Sequence, residues 1–249
     1  MPRSLRRALY GRYCARYGVR MEESATPLEE FRTFNAFFTR RLRDGLRPID
    51  TDPKSVTSPV DARVAAFGAI ERGRLLQAKG LDYALEDLVV VPELVGSLLG
   101  GSFVTLYLAP GDYHRIHAPF DGSVPWAIHE PGTLWPVNDA AAATIRDLFV
   151  VNERVVTALE TAHGTIAIVK VGALNVGSIR VEFDSAIGPS SRRKYRVYAT
   201  SQKFTKGEEL ARFEMGSTVI LLLPRAFAIE MDLALGKRIR VGEAVARVR

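Results

Sequence analysis

Cysteine, histidine and long apolar runs are all scarce in this 249-residue chain, and each scarcity excludes something. The single cysteine, Cys14, cannot form an internal disulfide, so the sequence fits a reducing compartment and offers nothing in favour of secretion. No apolar run approaches the roughly 18–20 residues of a membrane span. The longest candidate, around Val219 to Leu223, is halted by Pro224 and Arg225. Any membrane contact is therefore expected to be peripheral. Acidic residues are absent from the first 20 positions, which hold six arginines: Arg3, Arg6, Arg7, Arg12, Arg16 and Arg20. No apolar core follows them, as a secretory signal would require. They fall all round a helical wheel, so a clean amphipathic membrane helix is not expected; a targeting arm and a plain basic surface arm both remain open.

What is present builds a core. Hydrophobic residues make up 47% of the chain, enough for one large domain or one domain plus an arm. The net charge of +6 is compatible with nucleic acid, an acidic membrane surface or neither. Thr26-Pro27-Leu28-Glu29 fits a helix capping box with proline at the first helical position. Phe31, Phe34, Phe38 and Leu42 then recur at helical spacing. This stripe either packs on the protein's own core or dips into a membrane, with Arg40, Arg41, Arg43 and Arg47 beside it to meet lipid phosphates. Arg47-Pro48 closes the region. Residues 1–50 are thus expected to form a basic, helical, membrane-facing arm, and 51–249 a β-rich catalytic domain.

From about Thr57 onward, short β-rich runs alternate with Gly, Pro and Asp punctuation: Arg63–Ile70, Gly73–Ala78, Phe103–Leu108, Thr165–Val171, Ser178–Phe183, Val219–Leu223 and Arg238–Val248. Helical patterns are few, with Tyr83–Leu88 and Pro92–Leu99 the clearest. Two internal echoes suggest duplication. Ser58-Pro59-Val60-Asp61-Ala62-Arg63-Val64 resembles Ala118-Pro119-Phe120-Asp121-Gly122-Ser123-Val124. Gly207-Glu208-Glu209-Leu210-Ala211-Arg212-Phe213 resembles Gly242-Glu243-Ala244-Val245-Ala246-Arg247-Val248. Each echo has the form of a turn leading into a strand. The expected fold is mainly β (α+β), a barrel-sandwich-like β core with internal duplication and an N-terminal helical arm.

The chain has four histidines, and His114 and His117 share one segment, Tyr113-His114-Arg115-Ile116-His117-Ala118-Pro119. Third and fourth metal ligands are not evident, and prolines bracket the segment, so a metal site is not the reading adopted. Gly216-Ser217-Thr218 stands at the mouth of the apolar run. Such triplets are common turn material. Their chemical meaning appears if a serine must attack its own backbone. Gly216 leaves its carbonyl uncrowded and tolerates strained angles, which would let the Ser217 hydroxyl reach it. Serine needs a base to take its proton, histidine is the usual one, and a carboxylate commonly orients that histidine. Asp61 could do so, although alone it would be read as an ordinary Asx turn.

Five separated segments, in order, resemble the phosphatidylserine decarboxylase family. They are Phe34-Asn35-Ala36-Phe37-Phe38-Thr39-Arg40-Arg41-Leu42 with Arg47-Pro48-Ile49; Ser58-Pro59-Val60-Asp61 with Lys79-Gly80; Tyr107-Leu108-Ala109-Pro110 with Asp112-Tyr113-His114-Arg115-Ile116-His117; Val171-Gly172-Ala173-Leu174-Asn175-Val176-Gly177-Ser178-Ile179; and Lys206-Gly207-Glu208-Glu209-Leu210 running into Gly216-Ser217-Thr218. The resemblance implies self-cleavage between Gly216 and Ser217 into chains 1–216 and 217–249 that stay associated, with Ser217 becoming a covalent pyruvoyl group. It implies His117 as base for that step with Asp61 as its partner, and His114 in substrate handling. His129 and His163 match no catalytic position. Ala62 and Met215 stand where glycine and leucine are common in the family, conservative changes that leave cleavage expected.

The implied reaction is decarboxylation of phosphatidylserine to phosphatidylethanolamine through a Schiff base with the pyruvoyl ketone, with neither a metal nor pyridoxal phosphate. Phosphatidylserine in an anionic membrane surface is the implied partner, a homodimer is allowed, and nucleic acid is not expected. The implied location is the cytoplasmic face of a bacterial-type cell membrane, with the mitochondrial inner membrane as the alternative. Two rivals remain: a pyruvoyl enzyme acting on a soluble amino acid, and a non-enzymatic β carrier or phosphotransfer module.

Overall fold

The apolar run that Pro224 stops is the centre of the molecule. A computed structural model describes residues 3–174, 178–214 and 218–249. In it the strand Thr218–Leu223 is buried along its whole length, with Val219, Leu221 and Leu223 in one hydrophobic core and Ile220 and Leu222 in another. A strand apolar on both faces belongs in the middle of a sheet covered on both sides. It pairs antiparallel with Gly164–Val171 on one edge and Ser102–Tyr107 on the other, inside an eight-stranded sheet.

Two three-stranded sheets close the first core. One joins Ser55–Thr57, Ala244–Val248 and Phe227–Ile229; the other joins Ile179–Val181, Glu209–Phe213 and Arg115–His117. The short helices Leu85–Val89, Pro92–Leu98, Asp139–Ala142 and Leu148–Val151 contribute buried residues to the second core, on the opposite face. The architecture is mainly β with peripheral helices, as the sequence implies.

The echoes are structural. In one unit the Ser58 amide donates to the Glu243 carbonyl at 2.7 Å, and the Gly242 amide to the Ser58 carbonyl at 3.1 Å. In the other, Ala118 donates to Glu208 and Gly207 to Ala118, both at 2.8 Å. The units also bind each other, Thr57 N to Pro119 O at 2.9 Å and His117 N to Pro59 O at 2.8 Å. The aspartates correspond as well: Asp61 Oδ1 accepts from the Val241 amide at 3.0 Å and Asp121 Oδ1 from the Lys206 amide at 2.7 Å.

The N-terminal region departs from expectation. The longest helix is Arg3–Tyr17, where no amphipathic pattern is evident. Around Thr26 only a 3-10 turn forms, Leu28–Glu30, with no side-chain cap. The helix that follows is five residues long, Phe34–Phe38, capped by Thr33 Oγ1 accepting from the Ala36 amide at 3.1 Å. Of the stripe, Phe31 and Phe38 are buried and Phe34 and Leu42 half-buried; the neighbouring Phe37 is buried too, its ring stacked on Tyr10 at 5.2 Å. The membrane-dipping reading is therefore corrected for these phenylalanines. Burying them against Tyr10 removes large apolar area from water, which no lipid is needed to achieve. Arg40 is also turned inward, donating to the Gly111 carbonyl at 2.9 Å. Gly111 is required there, because a Cβ would lie 2.1 Å from the Tyr17 carbonyl oxygen.

Candidate functional site

Register brings both motif histidines beside the chain that enters the Gly-Ser-Thr triplet. His117 pairs with Glu209 across the strands Arg115–His117 and Glu209–Phe213, and the Phe213 amide donates to the His114 carbonyl at 3.0 Å. Glu214 follows. Its amide donates to the Ser178 carbonyl at 2.8 Å, and its carboxylate accepts from Ser178 Oγ and Arg180 Nε, each at 2.9 Å. Burial pushes Glu214 up, but the hydrogen bonds from Arg180 and Ser178 prevail and hold it below the usual carboxylate value. On the far side of the triplet, Thr218 stands in register with Tyr107 and Val171. Gly216 and Ser217 themselves lie outside the described residues, as do Asn175, Val176 and Gly177 of the fourth motif.

His114 is completely buried, its ring centroid 3.9 Å from that of Phe38. Nδ1 lies 2.8 Å from the Asp112 carbonyl, which can only accept, so Nδ1 carries the hydrogen and Nε2 the lone pair. Nε2 has no partner among the described residues. Burial, reinforced by the Arg40 charge, lowers the His114 pKa to about 3, so the ring is neutral throughout the physiological range.

His117 is more constrained. Nδ1 donates to the Gly207 carbonyl at 2.7 Å, and Nε2 accepts from the Tyr113 hydroxyl at 3.1 Å. Burial lowers its pKa, opposed in part by the Gly207 bond. Both ring nitrogens therefore have partners, and neither is Asp61.

Asp61 is held by Arg47, whose Nε lies 2.9 and 3.0 Å from the two carboxylate oxygens and whose Nη2 lies 2.5 Å from Oδ2. Glu23 takes a further Nη2 bond at 2.6 Å. A permanently charged, forked guanidinium satisfies a buried carboxylate better than an imidazole can. The structure thus brings Asp61 to Arg47, not to His117, although Asp61 and Tyr113 line one cavity of about 300 Å³. Arg47 and Tyr113 were the partners hardest to foresee. Arg47-Pro48 read as a helix end, and Tyr113 was overshadowed by the histidine that follows it. His129 is buried on Glu153 at 2.9 Å, and His163 sits among Phe120 and Phe227, consistent with structural roles.

A neutral imidazole whose Nε2 lone pair has no partner among the described residues, on a residue whose carbonyl binds the strand entering the Gly-Ser-Thr triplet, is equipment for proton transfer. Comparison with known proteins specifies the family. A family model described as phosphatidylserine decarboxylase matches residues 34–247. The chain is 46% identical over 247 residues to a phosphatidylserine decarboxylase proenzyme of Anaeromyxobacter sp. (strain K), covering 97% of this chain and 87% of that protein. It is 43% identical over 249 residues to the proenzyme of Myxococcus xanthus, with 97% and 89% covered. It is 40% identical over 242 residues to one from Pseudomonas aeruginosa, with 94% and 84% covered. The chain belongs to the phosphatidylserine decarboxylase family, a family of lyases.

Proposed function

We propose that this chain is a proenzyme that cuts itself between Gly216 and Ser217 and then decarboxylates phosphatidylserine to phosphatidylethanolamine. The observation that carries the reading is family membership from residue 34 to 247, with Gly216-Ser217-Thr218 retained at the mouth of the central strand. In the first stage a histidine takes the Ser217 hydroxyl proton and the oxygen attacks the Gly216 carbonyl, turning the amide into an ester. Elimination expels the Gly216 carboxylate, and hydrolysis of the remaining enamine nitrogen, by way of its imine, releases ammonia and leaves a pyruvoyl cap on the chain 217–249. The large and small chains stay associated, because Thr218–Leu223 is buried between two partner strands.

The surroundings support the cap by their unsatisfied polar atoms. Two buried polar atoms, His114 Nε2 and Thr218 Oγ1, have no partner among the described residues; Thr218 closes the triplet, and the His114 carbonyl accepts from the Phe213 amide on the strand leading into it. Such atoms are costly unless something fills them. The pyruvoyl group supplies an electrophilic carbonyl that accepts the substrate amine and draws electrons from the bond to the departing carboxylate. The family resemblance assigns the base of the cleavage step to His117, with Asp61 behind it. In the observed arrangement that role requires His117 Nε2 to exchange the Tyr113 hydroxyl for that of Ser217, while Asp61 acts on the ring through its charge alone. His114 Nε2 needs no such exchange, which favours it as the group that gives or takes a proton at the substrate. The processed enzyme should release labelled carbon dioxide from carboxyl-labelled phosphatidylserine without added pyridoxal phosphate, and borohydride should trap substrate on chain 217–249. Loss of activity without pyridoxal phosphate would refute the reading.

Among the described residues no helix is long and apolar enough to cross a membrane. Residues 1–50 are proposed as the membrane-facing arm of a peripheral protein at the cytoplasmic face of the cell membrane. With Phe31, Phe37 and Phe38 internal, the exposed side chains Leu5 and Leu9, together with Arg7, Arg12 and Arg16, are the part of that arm available to lipid.

A further inference from the structure

A second cavity, of about 420 Å³, opens on the helical side of the eight-stranded sheet. This is the size range of small-ligand pockets. Thr218 lines it, so the cavity begins one residue from Ser217. The Thr218 side chain is 1% exposed, and its hydroxyl has no partner among the described residues. Thr105, on the neighbouring strand, brings a second hydroxyl to the lining.

The wall of the cavity is cationic. Arg63 and Lys79 line it against one carboxylate, Asp139, which Arg63 Nη2 already holds at 2.5 Å. Lys79 makes no ion pair or hydrogen bond with its side chain among the described residues. It is presented by a tight hairpin between Arg74–Ala78 and Leu81–Ala84, where Lys79 and Gly80 both take positive φ, 46° and 81°. The rim is apolar: Leu76 and Leu235 line the mouth and are 49% and 68% exposed. A hydroxylic floor, a spare cation on the wall and exposed leucines at the rim form a gradient. It matches a phosphodiester headgroup whose acyl chains stay outside.

We infer that this cavity holds the glycerophosphoserine headgroup of the lipid, with Lys79 and Arg63 on the phosphate, Thr218 Oγ1 on a headgroup oxygen, and Leu76 and Leu235 against the acyl chains. The inference rests on the decarboxylase reading for the reaction next door, but binding can be measured without it. In the Ser217→Ala precursor, calorimetry with glycerophosphoserine should show at least a tenfold loss of affinity on adding Lys79→Gln. Gln is accommodated at the same backbone angles as Lys. In processed enzyme, Lys79→Gln should raise KM for dihexanoyl-phosphatidylserine at least tenfold while self-cleavage remains complete. Leu235→Ser should weaken turnover of vesicle-borne phosphatidylserine severalfold more than turnover of the dihexanoyl lipid. Unchanged affinity and KM in Lys79→Gln would overturn the assignment and leave the decarboxylase reading standing. Lost affinity in a protein whose wild-type form never decarboxylates would uphold the cavity and sink that reading instead.

Discussion

The turn that ends in Asp61 and the turn that ends in Asp121 have the same construction and different fates. Each aspartate accepts a backbone amide from a strand-leading turn, Val241 in one case and Lys206 in the other. Asp121 is exposed, and among the described residues its carboxylate has no further hydrogen bond. Asp61 is buried and held by Arg47, which also pairs with Glu23. The strand residues correspond too. Thr57 and His117 make the reciprocal backbone bonds between the units, yet only His117 presents a titratable ring. The backbone bonds are shared between the two units, and the proposed site residues His117 and Asp61 lie where the units differ. The one Asp61 carboxylate thus makes both the turn contact, to the Val241 amide, and an ion pair with Arg47.

The largest test of that asymmetry exchanges its histidine. His117→Ala should slow self-cleavage by about 100- to 10,000-fold, the usual contribution of a general base. Thr57→Ala, at the corresponding position, should leave cleavage at the wild-type rate, as followed by gel over hours. Normal processing in His117→Ala would move the base to another residue, with the unpartnered His114 next to be tested. The aspartates should separate in stability. Asp61→Asn leaves the buried Arg47 short of a counter-charge and should cost about 3–5 kcal/mol, whereas the exposed Asp121→Asn should cost about 1 kcal/mol or less. Urea unfolding in the Ser217→Ala background measures both without interference from cleavage.

His114 provides a smaller, pH-dependent signal. Its unfolded pKa is 6.5 and its folded value about 3, so between these the unfolded chain binds a proton that the folded chain does not. Stability should fall as pH drops from 6.5 towards 3, by up to about 1.4 kcal/mol per pH unit, and be unaffected by this group above 6.5. His114→Leu should remove that part of the slope. The smallest effect concerns the arm. Each arginine near an anionic surface contributes on the order of 1 kcal/mol and fades with salt. Leu5→Ser with Leu9→Ser should weaken vesicle binding modestly. Phe37→Ser should instead destabilise the fold, because Phe37 is wholly buried.

Strands whose residues alternate or run apolar were legible from sequence. Arg63–Ile70, Phe103–Leu108 and Thr165–Val171 are each observed within a residue of those bounds, as Ala62–Ala69, Ser102–Tyr107 and Gly164–Val171. Gly122–Glu130 was not, because Pro125 lies at a register irregularity between Ser123 and Ala127. Lys194–Phe204 was hidden by its edge position, where mostly exposed residues need no pattern. The Arg3–Tyr17 helix was obscured by arginines all round, and its burial is confined to few side chains such as Tyr10. At the site, residue types and motif order pointed to the histidines and to Asp61. What sequence could not supply was competition: which of several cations and hydroxyls reaches each acceptor depends on contacts such as Arg47 to Asp61, 14 positions apart, and His117 to Gly207, 90 positions apart.

The most direct test of the account is the intact mass of the purified protein beside its Ser217→Ala variant. The wild type should resolve into chains 1–216 and 217–249, the smaller beginning with a keto cap that blocks Edman sequencing, while Ser217→Ala remains a single chain. A wild-type protein that stays whole under conditions where it decarboxylates phosphatidylserine, or a Ser217→Ala variant that still splits at this bond, would contradict it.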